Sequence, residues 1–223
     1  LLVPGGFALL AGLDAALLLL GLPAPVGAAR LTEVHGMLLV LGFVGTLVAV
    51  ERAVAARRRW CYFAPVCLGL GAVLLTVPAP RYLAAGLLLA GCVGLVATYV
   101  PLWRRSADIA VLIQAAGALL ATGAAMLWLG SVPVADLLGW LAGFLILTIG
   151  GERLELARVA MLGARAEALL GAAAAALVAG ALAALLWPVV GYAVLGAAVL
   201  GITAWLARSE ERRVGKECVQ PCR

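Results

Sequence analysis

The stretch EVHGMLLVLGFVGTLVAVER, Glu33 to Arg52, is charged at both ends and holds no ionisable group between them except His35, the sole histidine of the chain. From Gly36 to Val50 every residue is apolar, glycine or threonine. An amphipathic helix of a soluble protein shows a polar face along its length. This stretch shows none. With its flanks it approaches the roughly 20 predominantly apolar residues needed to cross a hydrocarbon core about 30 Å thick. It reads as a membrane-spanning helix with charges at its two boundaries.

The rest of the chain repeats the pattern. Of its 223 residues 65% are hydrophobic and 12% charged, and the mean hydropathy is +1.14. A soluble domain averages about 25% charged and about 45–50% apolar residues, so this chain lacks the polar groups to cover itself in water. The apolar runs are continuous and helix-length, which excludes the short alternating segments of a β-barrel. The expected fold is all-α, a polytopic transmembrane helix bundle. Eight spans are predicted, at residues 3–22, 31–50, 61–79, 82–103, 109–129, 134–150, 168–187 and 189–207. Short connections bearing proline, glycine or charge separate them, the last being Pro188 alone.

The arginines sort by side. Connections after the second, fourth and sixth spans carry Arg52, Arg57, Arg58, Arg59, Arg104, Arg105, Arg153, Arg158 and Arg165, against Arg30 and Arg81 on the opposite side. Nine against two makes the arginine-rich loops and the N-terminus cytoplasmic under the positive-inside rule. The aromatics are expected as interfacial anchors: Trp60, Tyr62, Trp103 and Trp205 on the cytoplasmic side, Tyr82, Trp128, Trp140, Trp187 and Tyr192 on the other. The modest basic excess follows from these loops and calls for a lipid bilayer, not nucleic acid, as partner.

Two features set the expected extent. Residues 208–223 hold five basic and three acidic groups without apolar periodicity, and RSEERRVGKEC (Arg208–Cys218) resembles the in-frame translation of a sequencing adapter. The expectation is a transmembrane bundle over 1–207, a fragment of a longer protein, followed by a non-native tail at 208–223. Cys61, Cys67 and Cys92 lie within spans, form no C-x-x-C pair, and read as small buried hydrophobes.

GFVGTLVAVER from Gly42 and GFLILTIGGER from Gly143 share the pattern G-F, seven residues, E-R. The offset of four spans points to a four-helix internal repeat, as internal symmetry is frequent in membrane proteins. Each pair, Glu51–Arg52 and Glu152–Arg153, is expected at the membrane boundary as a structural ion pair, either an interfacial carboxylate with a snorkelling arginine or a glutamate paired with arginines of a neighbouring loop that lock the cytoplasmic face. Asp136 is then the counterpart of His35.

Ionisable groups within spans are costly, about 2.5–3.5 kcal/mol on insertion scales, and invite a functional reading. Asp14, near the middle of the first span, is a candidate proton or ion site, or an aspartate hydrogen-bonded at a helix contact. Gln114 is read as an interhelical hydrogen-bonding group. His35 lies one turn inside the outer end of the second span, with Gly42 and Thr46 following at α-helical spacing on one face, where another helix or a flat cofactor has room to approach. Neutral imidazole is a common metal ligand and a haem axial ligand, and Met126 is the candidate to complete a Met/His pair.

LTEVHGMLLVLGF resembles the second helix of haem–copper oxidase subunit I, which carries a Thr-x-His-Gly segment near the outer face. It also resembles NnrS-type polytopic proteins, in which a histidine-led helix has Gly-Phe seven residues on, matching His35, Gly42 and Phe43. QAAGALL and GFLILTIGGERLELAR resemble an uncharacterised bacterial membrane family near that group. The resemblance covers about twenty residues around His35 and about fifteen around Gly143. It implies a bacterial inner-membrane protein with His35 as cofactor-binding residue, haem b or a metal as cofactor, and a link to respiration or nitric oxide stress. The chain departs from both patterns: Thr32 stands one residue too far from His35, and Met37 and Leu38 occupy places where the NnrS helix carries a histidine and a glutamate.

Three functions compete on these residues: a haem- or metal-binding protein through His35, a proton- or ion-coupled transporter through Asp14, and a structural membrane protein without ligand. No nucleophile elbow, P-loop, dinucleotide fingerprint or metal-spaced cluster marks an enzyme.

Overall fold

A computed structural model describes the backbone of residues 2–157 and 164–217 and the side chains of 2–28, 30–155 and 168–204. Arg158, Arg165, Trp205, Cys218 and Cys222 have side chains outside that set. Among the described residues there is no strand. Eight helices follow in order along them: α1 (Leu2–Leu19), α2 (His35–Ala56), α3 (Phe63–Thr76), α4 (Arg81–Ser106), α5 (Ile109–Leu129), α6 (Leu138–Ala157), α7 (Ala164–Leu186) and α8 (Pro188–Glu217). Short 3₁₀ turns at Ala29–Glu33, Arg59–Tyr62 and Val134–Leu137 lead into α2, α3 and α6. Seven helices are long and apolar enough to cross a membrane, and α8 adds a shorter apolar stretch, Pro188–Ala204. The architecture is an all-α membrane bundle.

The chain falls into two compact units, Leu1–Val159 and Ala160–Arg223. In the first, α1 packs on α2 and α3, α3 on α4, α4 on α2 and α5, and α5 on α6. In the second, α7 and α8 pair as a hairpin. Apolar side chains face outward throughout, among them Leu10, Val54, Leu70, Val93, Leu119 and Leu186. A soluble monomer does not expose apolar surface on this scale; a lipid-facing bundle does.

Without a hydrophobic force to drive helices together inside lipid, small residues bring backbones close. A Cβ on Gly42 would stand 2.8 Å from Ala72 Cβ and 3.2 Å from Ala8 Cβ, so α1 and α3 both press on α2 there. On Gly91 of α4 it would meet the backbone of α3, at 2.9 Å from Leu68 N and 3.0 Å from Ala64 O. Gly191 admits the backbone of Ala184 in the α7–α8 hairpin in the same way.

Two helices outrun their hydropathy. The expected spans at 31–50 and 134–150 stop at the first charged pair, but α2 continues to Ala56 and α6 is helical through Ala157. ERAVAA and ERLELA are rich in good helix formers, so charge ends the apolar run without ending the helix. The left-handed Arg57 (φ 54°) stops α2, its N–H shared between the carbonyls of Ala53 and Val54. Within α2, Leu38–Gly45 is π-helical, a spacing that takes up extra residues per turn and recurs at functional sites.

Two aromatics expected as interfacial anchors are core residues. Trp128 is buried, with the Arg81 guanidinium 4.6 Å from its ring centroid and Arg81 Nη2 donating to its carbonyl at 3.1 Å. Trp140 is buried over Gly123. Trp60, Tyr62, Tyr82, Trp187 and Tyr192 are exposed, as anchors are.

Two glycines of α4 make opposite predictions. Gly91→Ala should lower stability by about 1–3 kcal/mol through overpacking. Gly86→Ala, whose Cβ meets nothing within 4 Å, should raise it by up to about 1 kcal/mol through helix propensity. Thermal unfolding of both variants in one detergent checks the pair; equal shifts would count against the tight α3–α4 contact.

Candidate functional site: an arginine among carboxylates

Extending α2 and α6 past their apolar runs buries Arg52 and places Glu152 and Glu155 beside it. Arg52 is only 6% exposed. Its Nη1 donates to Gln114 Oε1 of α5 at 3.0 Å and to Glu155 Oε2 of α6 at 3.0 Å, while Nη2 pairs with the neighbouring Glu51. Gln114, fully buried, closes the ring by donating from Nε2 to the same Glu155 oxygen at 3.2 Å. Three helices are thus tied through one guanidinium, whose planar fork suits several oxygens at once. Gly151 makes room: a Cβ there would lie 2.5 Å from Gln114 Cγ.

Two more groups face this ring. Glu152 of α6 interacts with Glu51 and Arg52, and Tyr99 of α4 is within electrostatic range of Arg52 and of all three glutamates. The Tyr99 hydroxyl, Glu152 Oε1 and Arg52 Nε are buried without a hydrogen-bond partner among the described residues. The ring is therefore incompletely satisfied, where buried polar atoms are normally paired. The outer carboxylates reach water: Glu51 and Glu155 side chains are 55% and 46% exposed. The cluster sits at the arginine-rich end of the bundle, open on one side.

The remaining sequence candidates lie apart from it. Arg153 is exposed, so of the two E-R pairs only the first turns its arginine inward. Asp14 is buried near the far end of α1, where Oδ1 accepts from Val26 N at 2.9 Å and Oδ2 has no partner among the described residues. It fastens the 20–28 loop to α1, the hydrogen-bonded alternative of the sequence reading. His35 opens α2, and its Nδ1 lies 2.9 Å from the Thr32 carbonyl. A carbonyl only accepts, so Nδ1 carries the proton and Nε2 the lone pair. The face assigned to His35 by α-helical spacing does not persist, because Leu38–Gly45 is π-helical, and at Gly42 it is filled by Ala72 and Ala8. Met126 is 59% exposed on α5. Among the described residues no group of three or more His, Cys, Asp or Glu is placed to hold a metal ion. Cys61, Cys67 and Cys92 are buried free thiols.

Glu155 and Tyr99 are site residues that the sequence does not single out. Glu155 stands three residues after Glu152, a spacing that shares a helix face, and becomes visible once α6 is allowed to continue. Tyr99 carries no signal beyond being a polar aromatic in a span.

A helical bundle with an apolar exterior and a buried ionic ring at one end defines a multi-pass membrane protein. The chain belongs to the family described as a domain of unknown function, DUF8744, whose model matches residues 1–216. No curated protein matches it, and no solved structure does.

Breaking a fully buried ion pair typically costs about 3–5 kcal/mol, and exposed pairs contribute about 1 kcal/mol or less. Arg52 is buried but two of its partners are half exposed, so Arg52→Ala should cost about 2 kcal/mol. Arg153→Ala should stay within about 0.5 kcal/mol of wild type. Chemical unfolding in detergent measures both; an Arg52→Ala protein as stable as Arg153→Ala would show that the ring does not hold the helices together.

Proposed function

We propose that this protein is a membrane transport protein coupled to a proton or a monovalent cation, with Glu51, Glu152 and Glu155 forming the ion site at the arginine-rich face. The observation that carries the reading is the imbalance of charge: Glu51 and Glu155 pair with one guanidinium, and Glu152 lies within electrostatic range of all three. One carboxylate is neutralised by Arg52. The two that remain, partly withdrawn from water, repel each other unless a proton or cation joins them. Gln114 and the Tyr99 hydroxyl are donors held beside them. The positive-inside rule favours the cytoplasmic side for this face. Asp14, with one free oxygen near the other end, is a second carboxyl on which such an ion can rest. In proteoliposomes with a trapped indicator, the wild type should pass protons, Na⁺ or K⁺ down an imposed gradient, and Glu152→Gln should slow that flux at least about tenfold, the scale of one lost ion-binding contact of ~1.4 kcal/mol. Wild-type vesicles no leakier than protein-free ones to all three ions would end the reading.

A second reading rests on His35. Its fixed Nδ1–H and free Nε2 reproduce the orientation in which ligating histidines are held by a carbonyl. The described residues bring no second ligand to it, Met126 included, and the face at Gly42 is filled by Ala72 and Ala8, so His35 would be the sole protein ligand of such a group. That fits the resemblance to NnrS-type proteins. Protein purified after haem supplementation should show a reduced-minus-oxidised band that His35→Ala abolishes; a folded wild type without any band removes the haem from consideration.

A further inference from the structure

A second polar feature at the arginine-rich end lies outside the ring. A cleft of ≈ 610 Å³ opens between the α2–α3 turn and the last turns of α4. Arg58, Arg104 and Arg105 line its mouth, with the half-exposed indole of Trp60 beside them. Among the described residues no acidic side chain contributes to the lining. Arg105 is held over the cleft by donating from Nη2 to the Ala55 carbonyl at 3.1 Å. Toward the bundle's middle the wall becomes apolar: Ala97, Val100 and Pro101 lie one and two turns before the arginine pair on α4. The same helix face therefore runs from apolar to doubly cationic over about two turns, and Val100 is exposed. Pro101 has no N–H, so the Ala97 carbonyl lacks its usual i+4 donor and remains an acceptor in this wall.

We propose that this cleft binds an anionic phospholipid, its phosphate between Arg58, Arg104 and Arg105 and one acyl chain along Ala97 and Val100. Guanidinium groups bind phosphate oxygens in paired, charge-assisted hydrogen bonds. Basic pockets between helices at the cytoplasmic side suit anionic headgroups. A soluble anion would use the arginines but gain nothing from the apolar wall, and it is the continuity of the two that selects a lipid. A headgroup bearing a hydroxyl, as phosphatidylglycerol does, has a donor for the Ala97 carbonyl. Each arginine close to an anionic headgroup contributes a factor of about five in binding, so three together give about a hundredfold.

The test is native mass spectrometry of the full-length chain in detergent, titrated with phosphatidylglycerol, phosphatidylcholine or inorganic phosphate. The wild type should retain phosphatidylglycerol at least about tenfold better than phosphatidylcholine, a conservative share of that electrostatic factor. The triple variant R58Q/R104Q/R105Q should lose the preference. R58K/R104K/R105K should keep most of it, and Arg153→Gln, at the same end but outside the cleft, should leave it unchanged. Equal retention of the two lipids by wild type, or an unaltered preference in the triple glutamine variant, overturns the proposal. So does displacement of phosphatidylglycerol by millimolar inorganic phosphate, which would mark a site for soluble anions. Should the glutamine variant fail to fold, the wild-type lipid comparison and the phosphate competition still decide.

Discussion

A buried arginine is the constraint that ties α2, α5 and α6 to one another. Arg52 cannot be placed inside a low-dielectric bundle without oxygens on several sides, because an unpaired buried charge costs more than the packing around it returns. Its partners come from its own helix and from α5 and α6. Their register along the membrane normal is set by reach: Glu155 must be at the depth of Arg52, and Gln114 between them. Van der Waals packing alone would let lipid-embedded helices slide past one another with little penalty, since lipid tails are as apolar as leucine. The ring removes that freedom.

Below the ring, small residues do the fitting. Gly42, Gly91, Gly117 and Gly151 each stand where a Cβ would crowd a neighbouring helix. These contacts set interhelical spacing, and the ring sets relative height. Neither constraint reaches the exterior, where residues such as Leu70, Val93 and Leu119 turn about half of their surface outward.

Much of the fold is legible in the sequence. Hydropathy yields the eight helices and their order, because the requirement to span the bilayer is written in long uncharged runs such as LLLAGCVGLVATYV, residues 87–100. The charged helix ends are not legible, since hydropathy cannot distinguish a helix that leaves the membrane from one that stops. That is why Glu155 escapes a reading by hydropathy and Gln114 reads only as a local bridge. Trp128 and Trp140 mislead for a related reason: an aromatic near a span boundary has the same sequence signature whether it faces headgroups or a neighbouring glycine. Asp14 is legible as a polar group in a span, but its partner, the Val26 amide, lies in a loop that folds back, and such loop geometry leaves no periodic trace.

The π-helical segment bears on the asymmetry of the two G-F-x₇-E-R copies. Gly42 and Gly143 occupy corresponding places, each pressed against the helix before its own, at Ala8 and at Leu120. Yet Arg52 turns inward on α2 while Glu152, not Arg153, faces the ring from α6. α6 is α-helical from Leu138 through the pair, whereas α2 carries the π segment Leu38–Gly45 around its glycine. A π turn takes up one residue more than an α turn, so everything after it is delayed by one position around the helix axis. The slot that an unbroken helix gives to the glutamate falls to the arginine one residue later. The two motifs thereby meet the ring differently: Arg52 from α2 at its centre with Glu51 beside it, Glu152 from α6 at its edge. The difference lies in the backbone and not in an added residue, since both motifs place the glycine nine residues before the glutamate; the π segment leaves Arg52 where it can pair with Glu155 and so join α2 to α6.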